Sequence, residues 1–300
     1  MWLQFSLRRA AARVFIIVVC VIIFAVVTAG AQTFYVSCAG DNTVQKFDAK
    51  GKRTGQLLSF GDSTPTGLAF DRNGNLCVAL VGSNIIEKFS PTGEDLGISS
   101  RVNLIAPIGI AFDRNGDLFV SNQFNHRIGK YSARGAFTSM FATKGMNTPN
   151  GLAFDKDGNL YVANWGSDSV EKYSPKGADM GAFVSRGLNW PTGLAFDANG
   201  ILYVASSGDN SVKKFSPTGE SAGILVSSNL DAPTGLAFDQ EGNLYVVNHG
   251  NNTVVKFSPK GENLGPFITS GLNKPSYIAI LSSTMVATAA VPAPPTPPEP

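Results

Sequence analysis

The feature that most constrains this chain is a period. Pro65, Pro107, Pro149, Pro191, Pro233 and Pro275 stand 42 residues apart, with no insertion or deletion between them. Asp71, Asp113, Asp155, Asp197 and Asp239 keep the same step. The unit that begins at Pro149 reads PNGLAFDKDGNLYVANWGSDSVEKYSPKGADMGAFVSRGLNW, and the unit at Pro233 is nearly a copy. A chain of equal units cannot bury one irregular core. Each unit is a supersecondary element that covers its apolar face with its neighbour.

Within the unit, short apolar runs alternate with turn signals, and helical periodicity is absent. The pattern predicts strands at Gly151–Asp155, Leu160–Asn164, Val170–Ser174 and, most weakly, Ala182–Ser185. Four strands per unit of this length make the blade of a β-propeller. Along Gly151–Asp155 the small residues share one face and Leu152 and Phe154 the other, so a thin face can nest against a bulky one. Glycines that follow turns, such as Gly158 and Gly177, are expected at positive φ. Lys46, Lys88, Lys130, Lys172, Lys214 and Lys256 occupy one repeat position. They are expected to pair with the repeated aspartates between blades, as architecture.

Residues 33–64 match the second to fourth strands of a unit, and Pro275–Ile280 supplies the missing first strand. The reading is therefore all-β: a six-bladed propeller of four-stranded antiparallel blades, closed by a split blade of residues 33–64 plus 275–281. Closure removes the open edges that a part-ring would expose. The pattern P-x-G-[LI]-A-F-D-x-x-G-[ND]-L-x-V, with Asn125-His126-Arg127-Ile128 in the second unit, resembles the NHL repeat. The resemblance covers residues 33–281 and extends more widely to six-bladed lactonase-like and gluconolactonase-like propellers. Asn122, Asn164 and Asn248 depart from it where Asp is common.

Arg8, Arg9 and Arg13 precede an apolar run from Val14 to Val27 and the small residues Ala29-Gly30-Ala31. This is the order of a signal peptide over residues 1–31, cleaved between Ala31 and Gln32. The apolar run is shorter than the roughly 20 residues of a membrane span. The expected product is secreted, periplasmic or extracellular, monomeric, and not inserted in a membrane. Without those three arginines the chain carries 24 − 3 = 21 basic against 22 acidic residues. That balance speaks against a nucleic-acid partner. Cys38 and Cys77 fall out of step on neighbouring blades and are expected to stay unbridged. Residues 282–300 turn small and proline-rich, the composition of a disordered tail.

Strands alternate in direction within a blade, so the loops joining strands two and three, and blade to blade, share one end of the disc. There the units differ most. Gln123, Arg127, Asn150, Asn164, Trp165 and Trp190 in blades two and three form the expected recognition patch, while Ser207 in blade four reads as a plain loop residue. Such a face suits a protein, peptide or glycan, and the first expectation is a non-catalytic binding module without cofactor. The alternative, which the wider resemblance implies, is a calcium-dependent lactonase-like or esterase-like enzyme, or a zinc-dependent lyase-like one, at the central channel. For it the sequence offers two histidines on opposite blades, His126 and His249. Asp41, Asp62, Asp168, Asp209 and Asp231 are possible calcium oxygens, better read as turn caps. G-x-S-x-G and a phosphate-binding loop are absent.

Overall fold

The computed structural model describes residues 32–282. The targeting segment and nearly all of the proline-rich tail lie outside them. Six four-stranded antiparallel sheets form the disc. In blade three the strands run Pro149–Phe154, Leu160–Asn164, Ser169–Tyr173 and Asp179–Val184, from the axis outward. The outer strand begins three residues earlier than its apolar residues alone suggest, because backbone pairing carries it past the buried Val184 into exposed sequence. The split blade is as read: Pro275–Leu281 pairs with Thr33–Cys38, joining the two ends of the ring.

Core packing lies between blades. Leu152 and Phe154 pack back on Phe119 of blade two, while Ala153 faces Leu194 and Phe196 of blade four. An aromatic in the second strand meets a phenylalanine of the next inner strand edge-on, as in Tyr161–Phe196 at 4.9 Å and Phe119–Phe154 at 5.0 Å. Such contacts add about 0.5–1.5 kcal/mol each beyond area burial. Cys77 occupies that aromatic position in blade one. It sits in the core between blades one and two, whereas Cys38 sits in the core between blades five and six. Both thiols are free and buried, and burial pushes Cys38 up to about 11 and Cys77 up to about 12.

The repeated aspartates and lysines need a correction. Their ion pairs lie inside a blade rather than between blades: Lys88–Asp71 at 3.1 Å, Lys172–Asp155 at 3.9 Å and Lys256–Asp239 at 3.9 Å. In blade two Lys130 chooses Asp117 instead, at 2.9 Å. The aspartate's first task is the turn after the inner strand. Asp155 Oδ1 accepts from the backbone N–H groups of Asp157 and Asn159, both at 2.9 Å. Gly158 completes that turn at φ +82° and Gly177 the next at φ +82°. These turns tile one end of the disc.

Candidate functional site at the channel mouth

Three sets of equivalent positions build the other end around the axis. The residue after each inner-strand proline gives the first ring: Thr66, Ile108, Asn150, Thr192, Thr234 and Ser276. The next position is Gly67, Gly109, Gly151, Gly193 and Gly235 in five blades. Glycine is required there because inner strands approach closely: a Cβ on Gly151 would lie 2.2 Å from the carbonyl oxygen of Thr192. The third ring overhangs the mouth from the end of each second strand: Ala39, Val81, Gln123, Trp165, Ser207 and His249.

Blade six breaks the glycine ring with Tyr277. Its hydroxyl donates to Asn150 Oδ1 at 2.5 Å, across the axis to the opposite blade. Burial pushes the Tyr277 phenol well above its ordinary value, so it stays a donor. Both residues of this bar line a pocket of about 260 Å³, together with Trp165, Thr192, Thr234 and His249 among others. Ser207 lines it too, so blade four is not the plain side of the mouth.

Hydrogen bonding in the pocket is uneven. Thr66 and Thr192 donate to the next blade's proline carbonyls, Pro107 at 3.0 Å and Pro233 at 3.1 Å. The matching acceptor for Thr234 is the Pro275 carbonyl, but His249 Nδ1 lies 3.0 Å from that oxygen. A carbonyl only accepts, so Nδ1 carries the proton, and in the neutral ring Nε2 is the acceptor. Thr234 Oγ1 is left buried with no hydrogen-bond partner among the described residues.

At the rim Trp165 and Trp190 stack with ring centroids 5.4 Å apart and planes at 25°. They are 37% and 50% exposed. Trp190 is held at φ +52°, with its N–H donated to Asp168 Oδ1 at 2.7 Å. That geometry belongs to the scaffold. Asn84, His126, Asn210 and Asn252 do the same for Ala106, Thr148, Ala232 and Lys274. His126 therefore spends Nδ1 on its own fold.

Of the six residues expected to form the patch, Asn150, Trp165 and Trp190 come together at the pocket and its rim. Asn164 is fully buried, accepting from the Asn147 N–H and donating to the Gly145 carbonyl, so it holds the blade-to-blade loop and offers no surface. Gln123 is half-buried and Arg127 exposed, but neither lines the pocket. The patch shifts from blades two and three toward the axis and blades three to five. Sequence reasoning missed Thr234 and Tyr277, and it placed His249 among the variable loops of this end without including it in the patch. A signal for Tyr277 existed: one tyrosine in a column of five glycines.

The pocket suits neither metal considered. Calcium takes about six to eight oxygens, with carboxylates prominent, and zinc about four nitrogen or sulfur ligands. The lining offers one imidazole and no carboxylate. Among the described residues no three His, Cys, Asp or Glu side chains gather to hold an ion. Asp41 and Asp209 instead accept from Thr43 and Ser211, both at 2.7 Å, and Asp209 also pairs with Lys213.

Fold and site together define a six-bladed propeller with a pocket at one mouth of its axial channel. The chain belongs to the virginiamycin B lyase family, whose model matches residues 52–279. None of the curated proteins matches it. Among solved structures it is similar to a chain of a nidogen–laminin complex, at 22% identity and TM-score 0.74, covering 83% of this chain and 98% of that one. It is also similar to virginiamycin B lyase from Staphylococcus aureus, at 15% identity and TM-score 0.64, covering 83% and 88%. A streptogramin B lyase gives 18% identity and TM-score 0.62, covering 82% and 76%. At these identities the likeness is one of fold.

Proposed function

We propose that this protein is an exported ligand-binding propeller that captures its ligand at the channel mouth of blades three to five, without turnover. The observation that carries the reading is the Trp165–Trp190 stack, half-exposed at the rim of a pocket lined by uncharged hydrogen-bonding groups. Large aromatic side chains over a concave, partly apolar site are the usual anchors of recognition. Export rests on Arg8, Arg9, Arg13 and the apolar run behind them.

A second reading, a lyase, has its own support. The family is one of lyases, and His249 and Tyr277 line the same pocket, an imidazole and a phenol of the kinds able to take and give a proton. One comparison separates the two. The mature chain is incubated with quinupristin, which one similar virginiamycin B lyase structure contains, and products are followed by mass spectrometry. Binding is measured in parallel on the parent, Trp165→Ala and His249→Ala. The binding reading expects intact quinupristin and a loss of affinity of tenfold or more for any ligand of the site in Trp165→Ala, about 1.4 kcal/mol per decade. Cleavage abolished by His249→Ala would replace it with the lyase.

A further inference from the structure

We infer that the pocket takes the end unit of an uncharged oligosaccharide, stacked on Trp165 and hydrogen-bonded to Asn150, Thr234 and His249. The inference rests on the binding reading above. Three observations carry it.

The first is charge. Lys, Arg, Asp and Glu are all missing from the lining. A charged ligand would lose its hydration there without a compensating partner, a large cost. Neutral polar groups meet no such penalty.

The second is the set of hydrogen-bonding atoms. Tyr277 uses Asn150 Oδ1, which turns the amide so that Nδ2 is left to donate. His249 Nδ1 is used by the Pro275 carbonyl, which in the neutral ring leaves Nε2 to accept. Thr234 Oγ1 can do both and has no partner among the described residues. A vicinal pair of hydroxyls, each donor and acceptor at once, satisfies such a mixed set. A ligand bearing only carbonyls would leave His249 Nε2 unmet, and unmet buried groups are costly. The indole of Trp165 then offers a flat apolar face to the C–H face of a sugar ring.

The third is depth. In five blades this position is a glycine pressed against the next inner strand, but in blade six Tyr277 spans the axis to Asn150. The pocket is therefore blind. A chain cannot thread it and must enter by an end.

The test is titration calorimetry on the mature chain with neutral cello-, xylo- and chito-oligosaccharides from dimer to dodecamer, uronate oligomers of equal length, and quinupristin. At least one neutral series should bind, its affinity per chain levelling off with length because only the end is read. Uronates should not bind. Thr234→Val, which removes only the orphan hydroxyl, should weaken binding tenfold or more while leaving the melting temperature unchanged or higher. Tyr131→Phe, which removes a hydroxyl spent on the Val102 carbonyl away from the pocket, should melt lower and bind normally. Affinity that keeps rising with the number of sugar units overturns end recognition. Binding of uronates or quinupristin alone, still abolished by Trp165→Ala, overturns the saccharide assignment and spares the binding reading. No binding by any probe, or binding indifferent to Trp165, overturns both.

Discussion

The two ends of this disc are made from the same repeat and have gone separate ways. At one end, five aspartate turns recur almost without change, each aspartate accepting from its own turn. At the other end the backbone is equally regular, with the same left-handed residues strapped by the same bond 22 residues on. Its side chains, however, differ from blade to blade. Ala39, Val81, Gln123, Trp165, Ser207 and His249 hold one position and share no chemistry. The comparison teaches that regular backbone is common to both ends, and that only freedom in the side chains it presents marks a site.

The most severe way to break the comparison is to open the ring. Removing residues 275–300 takes the inner strand from blade six and should unfold both ends together. Ile278 and Leu281 are buried, worth roughly 1.5–3 kcal/mol each in lost apolar burial, and an unpaired strand edge is added. A cut after Ser283 should leave thermal unfolding unchanged. If the longer truncation keeps its far-ultraviolet spectrum and melting temperature, closure by the split blade is wrong.

Alkaline titration probes both ends at once. All seven tyrosines are raised above the ordinary phenol value, burial being the first cause in each. A phenol raised in the native state contributes stability that is full below its unfolded value, about 10. That stability is lost as pH rises beyond it. Tyrosinate absorbance should therefore appear in one cooperative step that coincides with unfolding. Tyr161, Tyr203 and Tyr245 sit over the aspartate turns and Tyr277 in the pocket. A single phenol ionising early would show the mouth opening while the turns hold.

At the regular end, Asp239→Ala should cost on the order of 3 kcal/mol in chemical denaturation and leave ligand affinity intact. Its carboxylate accepts from the backbone of Glu241 and Asn243, from Asn243 Nδ2 at 2.8 Å and from the Tyr245 hydroxyl at 3.1 Å. A loss of binding without a loss of stability would show that the two ends are coupled.

The smallest effect is expected at His126. Asparagine fills its position in blades one, four, five and six at positive φ, where asparagine is at ease, and in blades one, four and five it makes the same strap. His126→Asn should move stability by no more than about 0.5 kcal/mol and leave activity and binding alone. A larger change would give His126 a role that the strap does not account for.

Fold and site were legible to different depths. The phase of Pro65 to Pro275 determined blade number, strand order and the split closure, because an uninterrupted period leaves each unit one way to cover its neighbour. It also showed where variation gathers, and so which end to inspect. Asn164 was misplaced because a variable-looking position can still face inward, and alternation alone does not say which end of a strand dips under a loop. Lys130 left its repeated aspartate for Asp117 because a flexible side chain takes the nearest carboxylate. What only the tertiary structure decided was the meeting at the axis. Asn150 and Tyr277 lie 127 residues apart and on opposite blades, yet they share a hydrogen bond. The ring must close before they are neighbours, and no local pattern records a contact that exists only across a channel.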